Sequence, residues 1–117
     1  MKENIVKDKS FTFALRMVKL SKHLKEVQKE FVLSRQLLRS GTAIGALVRE
    51  AEHAQSKADF VHKLSIALKE ANETDYWIEL LYQSQVLSHD DYHSVKPDAQ
   101  ELIKLLVSII KTTKKNL

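Results

Sequence analysis

Apolar residues recur at intervals of three and four along almost the whole chain, and each loss of that rhythm marks an element boundary. The clearest run is residues 57–85, where Phe60, Leu64, Ala67, Ala71, Ile78 and Leu81 hold one stripe for about seven turns. Ser56 precedes it with Asp59 three residues on, a capping signature that predicts the start of a helix. Ser88 and Asp91 repeat the signature ahead of a helix over about 89–114, with Leu102, Leu105, Leu106, Ile109 and Ile110 as its apolar face. Pro97 falls inside that run and predicts a kink or a fresh start there, because proline lacks a backbone donor and disfavours helix at Lys96.

Two more helices are expected upstream. One spans about 9–26, with Phe11, Ala14, Leu15, Val18 and Leu24 facing inward. The other spans about 31–54, with Leu33, Leu37, Ile44, Leu47 and Ala51 as its core stripe. The connections, near Lys29, Gln55 and Leu87, are short, so successive helices should run antiparallel. The pattern predicts an all-α, single-domain chain folded as an up-down-up-down four-helix bundle.

Composition sharpens this picture. In 117 residues there are two glycines and one proline, too few for the turns of a many-stranded protein. Without cysteine the chain has no disulfide, thiolate metal site or cysteine nucleophile, which suits a cytoplasmic location. Charges interrupt the first twenty residues, so no signal peptide is expected. No apolar stretch approaches the roughly 18 residues of a membrane span, so no membrane contact is expected either.

The net charge of +4 is unevenly placed. Residues 1–39 carry ten Lys and Arg against Glu3, Asp8, Glu26 and Glu30. Residues 50–91 reverse the balance, with three lysines against nine acids. That asymmetry fits either a nucleic-acid face or complementary contacts between subunits. On a helical wheel Arg35, Arg39, Thr42, Ala46, Arg49 and His53 share one sector, roughly opposite the core stripe of the second helix. Arginine forks match phosphate oxygens, so Arg35, Arg39 and Arg49 are candidate nucleic-acid contacts, widened by Lys19, Lys22, Lys25 and Lys29 on the first helix. No aromatic residue accompanies these arginines on the wheel, which favours contacts to backbone and shape over base identity.

Both glycines, Gly41 and Gly45, lie within this second helix, where each costs about 1 kcal/mol relative to alanine. A phosphate loop would need a preceding strand and a Walker lysine, and a membrane motif would need an apolar surround. Close approach of another helix, from this chain or another subunit, is the reading left. Trp77 lies beside the main stripe of its helix and is a candidate packing or oligomer anchor.

Metal and catalytic chemistry find little footing. His89 and His93 stand at i, i+4, but without the glutamate and third ligand of a zinc-protease helix. Glu50 and His53 form a single Glu-x-x-His, where di-iron bundles use two plus further carboxylates. No nucleophile elbow or glycine-rich loop occurs, so no catalytic residue, metal or cofactor is assigned and the chain is not expected to be an enzyme.

The stretch QLLRSGTAIGALVREAEHAQSKADFVHKLSIALKEANETDYWIELL closely resembles the bacterial four-helix-bundle proteins named for intervening sequences in 23S ribosomal RNA genes. The likeness is densest over Arg39–Thr42, Ile44–Ala46, Arg49–Ala51, Ser56–Lys57, Asp59–Phe60, Lys63–Ala71 and Glu73–Thr74, with Trp77 fitting a Tyr-Trp pair. The family commonly has serine in place of Ala43 and asparagine in place of Leu47. The resemblance implies a bundle that assembles into a ring-like homopentamer. It also implies kinship with a basic pentamer, the accessory protein of diversity-generating retroelements, which binds nucleic acid and a reverse transcriptase. The expected function is therefore a non-enzymatic, oligomeric bundle that binds RNA or DNA through a basic helix face. The alternative is a structural or adaptor oligomer with an unidentified protein partner, its arginines pairing with the acidic middle of a neighbouring subunit.

Overall fold

The computed structural model describes residues 2–117, and among them four helices and no strand. These are α1 (Lys2–Glu26), α2 (Leu33–Ala51), α3 (Lys57–Gln83) and α4 (His89–Lys115). Each packs on its sequence neighbours, and α1 closes against α4, giving a rod 47 × 20 × 19 Å.

Polar contacts between helices, some to backbone carbonyls, fix the direction of every interface. Between α1 and α2, Lys7 meets Glu52 and Ser21 meets Ser34. Between α2 and α3, Arg39 meets Glu70 and Glu50 meets Lys63. Between α3 and α4, Glu79 meets Tyr92 and Lys57 meets Asn116, and between α1 and α4, Lys9 meets Glu101 and Arg16 meets Asp98. In each pair of helices residue numbers rise on one as they fall on the other, so the helices alternate up and down.

Ser56 and Ser88 cap α3 and α4, accepting from the amides of Asp59 at 3.0 Å and Asp91 at 3.1 Å. The start of α2 is capped differently. The Glu30 carboxylate accepts from the amides of Leu33 at 3.0 Å and Ser34 at 2.7 Å, while the Ser34 hydroxyl donates to the Glu30 carbonyl. Burial alone would raise the Glu30 carboxyl, but these amides outweigh it and hold the group below the usual carboxylate range.

The structure corrects several expected boundaries and one whole face. The first helix begins at Lys2 rather than near residue 9, and α2 is shorter at both ends than 31–54. Helix α3 stops at Gln83, where Gln85 turns left-handed at φ 65° and the Val86 and Leu87 amides return to the Leu81 carbonyl. No break occurs at Pro97, because α4 runs on from His89 to Lys115 with proline inside it.

The larger correction concerns α1. Of its expected inward residues, only Leu24 is buried. Phe11, Leu15 and Val18 are about half exposed, and the core face is Val6, Phe13, Met17, Leu20 and Leu24 instead. The two sets point to roughly opposite sides of the helix. Helix α1 is therefore apolar on both faces. One face joins Leu37, Ile44, Leu64, Ile78, Leu81, Leu102 and Leu106 in the core, and the other is left uncovered in the single chain.

Candidate nucleic-acid interface

The arginines of α2 begin as one row and end in three environments. Arg35, in the first turn, is exposed and meets no carboxylate among the described residues. Arg39 reaches sideways to α3, where its guanidinium bonds the Glu70 carboxylate at 3.2 Å and also the Glu73 carboxylate. Glu73 in turn accepts from the Trp77 indole at 3.0 Å. That indole first, and the Arg39 guanidinium after it, outweigh burial and hold the Glu73 carboxyl below the usual range. The Glu73 hydrogen bond raises Arg39 correspondingly. Arg49 leans over α1, its guanidinium carbon 5.1 Å from the centre of the Phe11 ring.

Arg39 is thus engaged with the acidic α3 of its own chain. The charge asymmetry along the sequence is partly neutralised inside one bundle, as it is again where Lys7 meets Glu52.

Lys19, Lys22 and Lys25 are all exposed, and none lies within ion-pair distance of a carboxylate among the described residues. Lys19 turns towards α4, lining a groove with Arg16, His23 and Asp91. Lys22 and Lys25 follow at steps of about 60° around α1, Lys22 in line with the uncovered Phe11, Leu15 and Val18. The α1–α2 register sets the last turns of α1 beside the first turn of α2, so these lysines share one end of the rod with Lys29 and Arg35. The cations brought together are therefore at this end, and the long stripe from Arg35 to Arg49 is interrupted at Arg39.

The glycines serve the seam between α1 and α2 within the chain. A Cβ on Gly41 would lie 2.5 Å from the Met17 Cγ, and one on Gly45 would lie 3.3 Å from the Ser10 carbonyl oxygen. Beside Gly45, a shallow depression of about 250 Å³ is lined by Phe11, Ala14, Thr42, Ala46 and Arg49. Trp77 is half-buried against the core, with Tyr76 edge-on at 5.1 Å and itself exposed.

Elsewhere, His89 and His93 belong to an aromatic cluster with Tyr82 and Tyr92, whose rings stack at 3.8 Å. Among the described residues no three His, Cys, Asp or Glu side chains converge as metal ligands. No helix among them is long and apolar enough to cross a membrane. The chief polar cluster that sequence reasoning missed joins α3 to α4. Lys96 lies 2.9 Å from Asp75 and 3.1 Å from Glu79, and Glu79 also accepts from the Tyr92 hydroxyl at 2.6 Å. Its one sequence signal was the pair Asp75 and Glu79 at i, i+4.

Against known proteins, the family model described as 23S rRNA-intervening sequence protein matches residues 2–108. A crystal structure from Bacteroides thetaiotaomicron VPI-5482, described as a protein with unknown function from the S23 ribosomal protein family, superposes with a TM-score of 0.93. It is 60% identical, and the match covers 95% of this chain and 99% of that one. No curated protein matches.

Proposed function

We propose that this chain, which belongs to the 23S rRNA-intervening sequence protein family, is a non-catalytic oligomer that binds RNA or DNA through phosphate contacts. The observation that carries the reading is the group of cations without carboxylate partners at the α1–α2 end: Lys22, Lys25, Lys29 and Arg35, with Lys19 at its flank. Such side chains release counterions when they meet phosphates, whereas Arg39 would first have to leave Glu70 and Glu73.

The test is affinity for RNA and DNA measured against salt. Log affinity should fall linearly with log salt, and Lys22→Ala, Lys25→Ala and Arg35→Ala should each flatten the slope by about 1. Arg39→Ala should leave the slope unchanged. Absence of binding at low salt sinks the reading.

The uncovered apolar row of α1 supports the oligomer. Phe11, Leu15 and Val18 are 49%, 51% and 51% exposed at i, i+4 and i+7, a spacing suited to packing against another helix. The specific assembly proposed is the ring-like homopentamer, in which repeated basic ends would add avidity. Leu15→Glu is expected to leave the thermal unfolding of the single chain nearly unchanged and to convert the assembly to monomers in sedimentation equilibrium. A wild-type protein that already sediments as a monomer refutes this assembly.

A further inference from the structure

We propose that the α1–α2 turn is a stacking platform, so that the nucleic acid this protein takes is single-stranded, with an unpaired base laid on the Phe31 ring. The inference rests on the nucleic-acid reading above and narrows it to one substrate class. Phe31 is 54% exposed, with Val27 and Val32 on either side also open to solvent. Exposure of a ring at this position has no helix-capping use. A hydrophobic staple would pair the residue before the Val32 cap, which is Phe31 itself, with an apolar fourth residue of α2, and that place holds the polar Gln36.

The turn is tied by hydrogen bonds on both sides despite being exposed. Lys29 adopts φ 57°, the Glu30 amide donates to the Leu24 carbonyl at 3.0 Å, and the Glu30 carboxylate ties down the amides of Leu33 and Ser34. The backbone on both sides of Phe31 is therefore fixed before any ligand arrives, which lowers the ordering cost of binding.

Around the ring the charge suits phosphates. Lys29 and Arg35 stand on either side of it in sequence, and Lys25 lies in the last turn of α1. The acids nearby in sequence are Glu26 and Glu30, and Glu30 is already committed to the α2 amides. An exposed ring among cations that track a backbone is the arrangement by which proteins hold single strands with little sequence preference. A duplex offers the same phosphates but hides its base faces in the stack.

The experiment compares end-labelled oligouridylate and oligothymidylate with a hairpin duplex closed by a non-nucleotide linker, at one low salt concentration, using the full chain. Single strands should bind more tightly than the hairpin. Phe31→Ala should weaken single-strand binding about five- to hundredfold and leave hairpin binding unchanged, while Phe31→Trp should retain or tighten it. Thermal unfolding of Phe31→Ala should match wild type, since the ring is exposed. Equal binding of Phe31→Ala and wild type to single strands overturns the platform while leaving the phosphate reading standing. A change in sedimentation of Phe31→Ala also overturns it, by placing the ring in a contact between copies. Loss of all binding by the wild-type protein at low salt would instead remove both readings.

Discussion

Gly41→Leu is expected to leave the protein unfolded or barely folded at room temperature. Gly41 is where α2 comes nearest to Met17 of α1, and Met17 is fully buried. Even the first added carbon would sit 2.5 Å from Met17 Cγ and 3.2 Å from Met17 Cβ. Rotating the end of the thioether relieves neither contact, so Met17 must leave its χ1 rotamer within the packed core or α1 and α2 must separate. Overpacking of this kind costs about 1–3 kcal/mol, against a gain of about 1 kcal/mol from replacing a helical glycine by alanine. Gly41→Ala should therefore be destabilising on balance. Leucine adds three further carbons where one does not fit, which consumes much of the roughly 5–15 kcal/mol available to a domain.

Gly45→Ala makes the contrast. Its Cβ would meet the Ser10 carbonyl oxygen at 3.3 Å, a contact that a shift of a few tenths of an ångström relieves, so near-neutral stability is expected. Urea denaturation of Gly41→Ala, Met17→Ala and the double variant tests the mechanism. Met17→Ala alone should cost about 2–5 kcal/mol through its cavity. The double variant should cost less than the sum by about 1–3 kcal/mol, because the new methyl fills part of that cavity. Strict additivity would show that Gly41 is needed for some reason other than room.

The same seam shows what the chain's pattern can and cannot convey. Helix α3 was legible because it has one apolar stripe, and its cap lies in four consecutive residues, Ser56 to Asp59. Helix α1 was not, because Phe11 and Phe13 are equally apolar and local spacing offers two faces. Which one is buried depends on where α2 and α4 lie, and that is nowhere local. The turns escaped notice for a related reason. Lys29 and Gln85 take left-handed conformations without being glycine or asparagine, and Glu30 caps α2 from outside its apolar rhythm. At Pro97 the fresh start, one of the two outcomes expected there, does not occur. The proline deprives α4 of one backbone donor, yet contacts to α3 from Tyr92 and Lys96 hold that stretch of the helix in place.

The basic residues were legible as positions and only partly as a surface. A wheel gives the direction in which a side chain leaves the helix, and Arg35, Arg39 and Arg49 leave α2 in one sector. Their reach then depends on neighbours. Glu70 and Glu73 draw Arg39 onto α3, Phe11 draws Arg49 onto α1, and Arg35 has neither. Charge segregation along the chain suggested acids waiting on another subunit. The antiparallel fold instead places acidic α3 beside basic α2 in the same molecule, and the cations left over gather at the α1–α2 end.

Lys96→Met is expected to lower stability near neutral pH by about 1–3 kcal/mol, through the acids it abandons more than through lost packing. The Lys96 ammonium is largely enclosed between Asp75 and Glu79, one turn apart on α3. Asp75 Oδ1 is buried and accepts no directed hydrogen bond, so the ammonium 2.9 Å away is its compensation. Methionine matches the length of the stem but leaves that oxygen bare and sets two carboxylates near each other without a cation. Burial would lower the Lys96 ammonium, but Asp75 and Glu79 outweigh it and raise the group above the usual lysine range. Its contribution is therefore complete below that range and is lost only as pH rises through the raised value. Glu79 works in the opposite sense. The Tyr92 hydroxyl, then the Gln83 amide, then Lys96 hold its carboxyl at about 2. Its contribution is present above the usual carboxylate range and is lost as pH falls from there towards about 2. In the variant the Tyr92 and Gln83 bonds persist, so part of this acid dependence should survive. The deficit relative to wild type should then shrink between about pH 7 and about pH 3, because the unfolded chain takes up protons over that range and the wild type, with Glu79 held at about 2 partly by Lys96, loses more of its carboxylate contribution than the variant does. Urea midpoints at the two pH values measure it. A deficit that stays constant on acidification would mean that Lys96 matters for the shape of its stem and not for its charge.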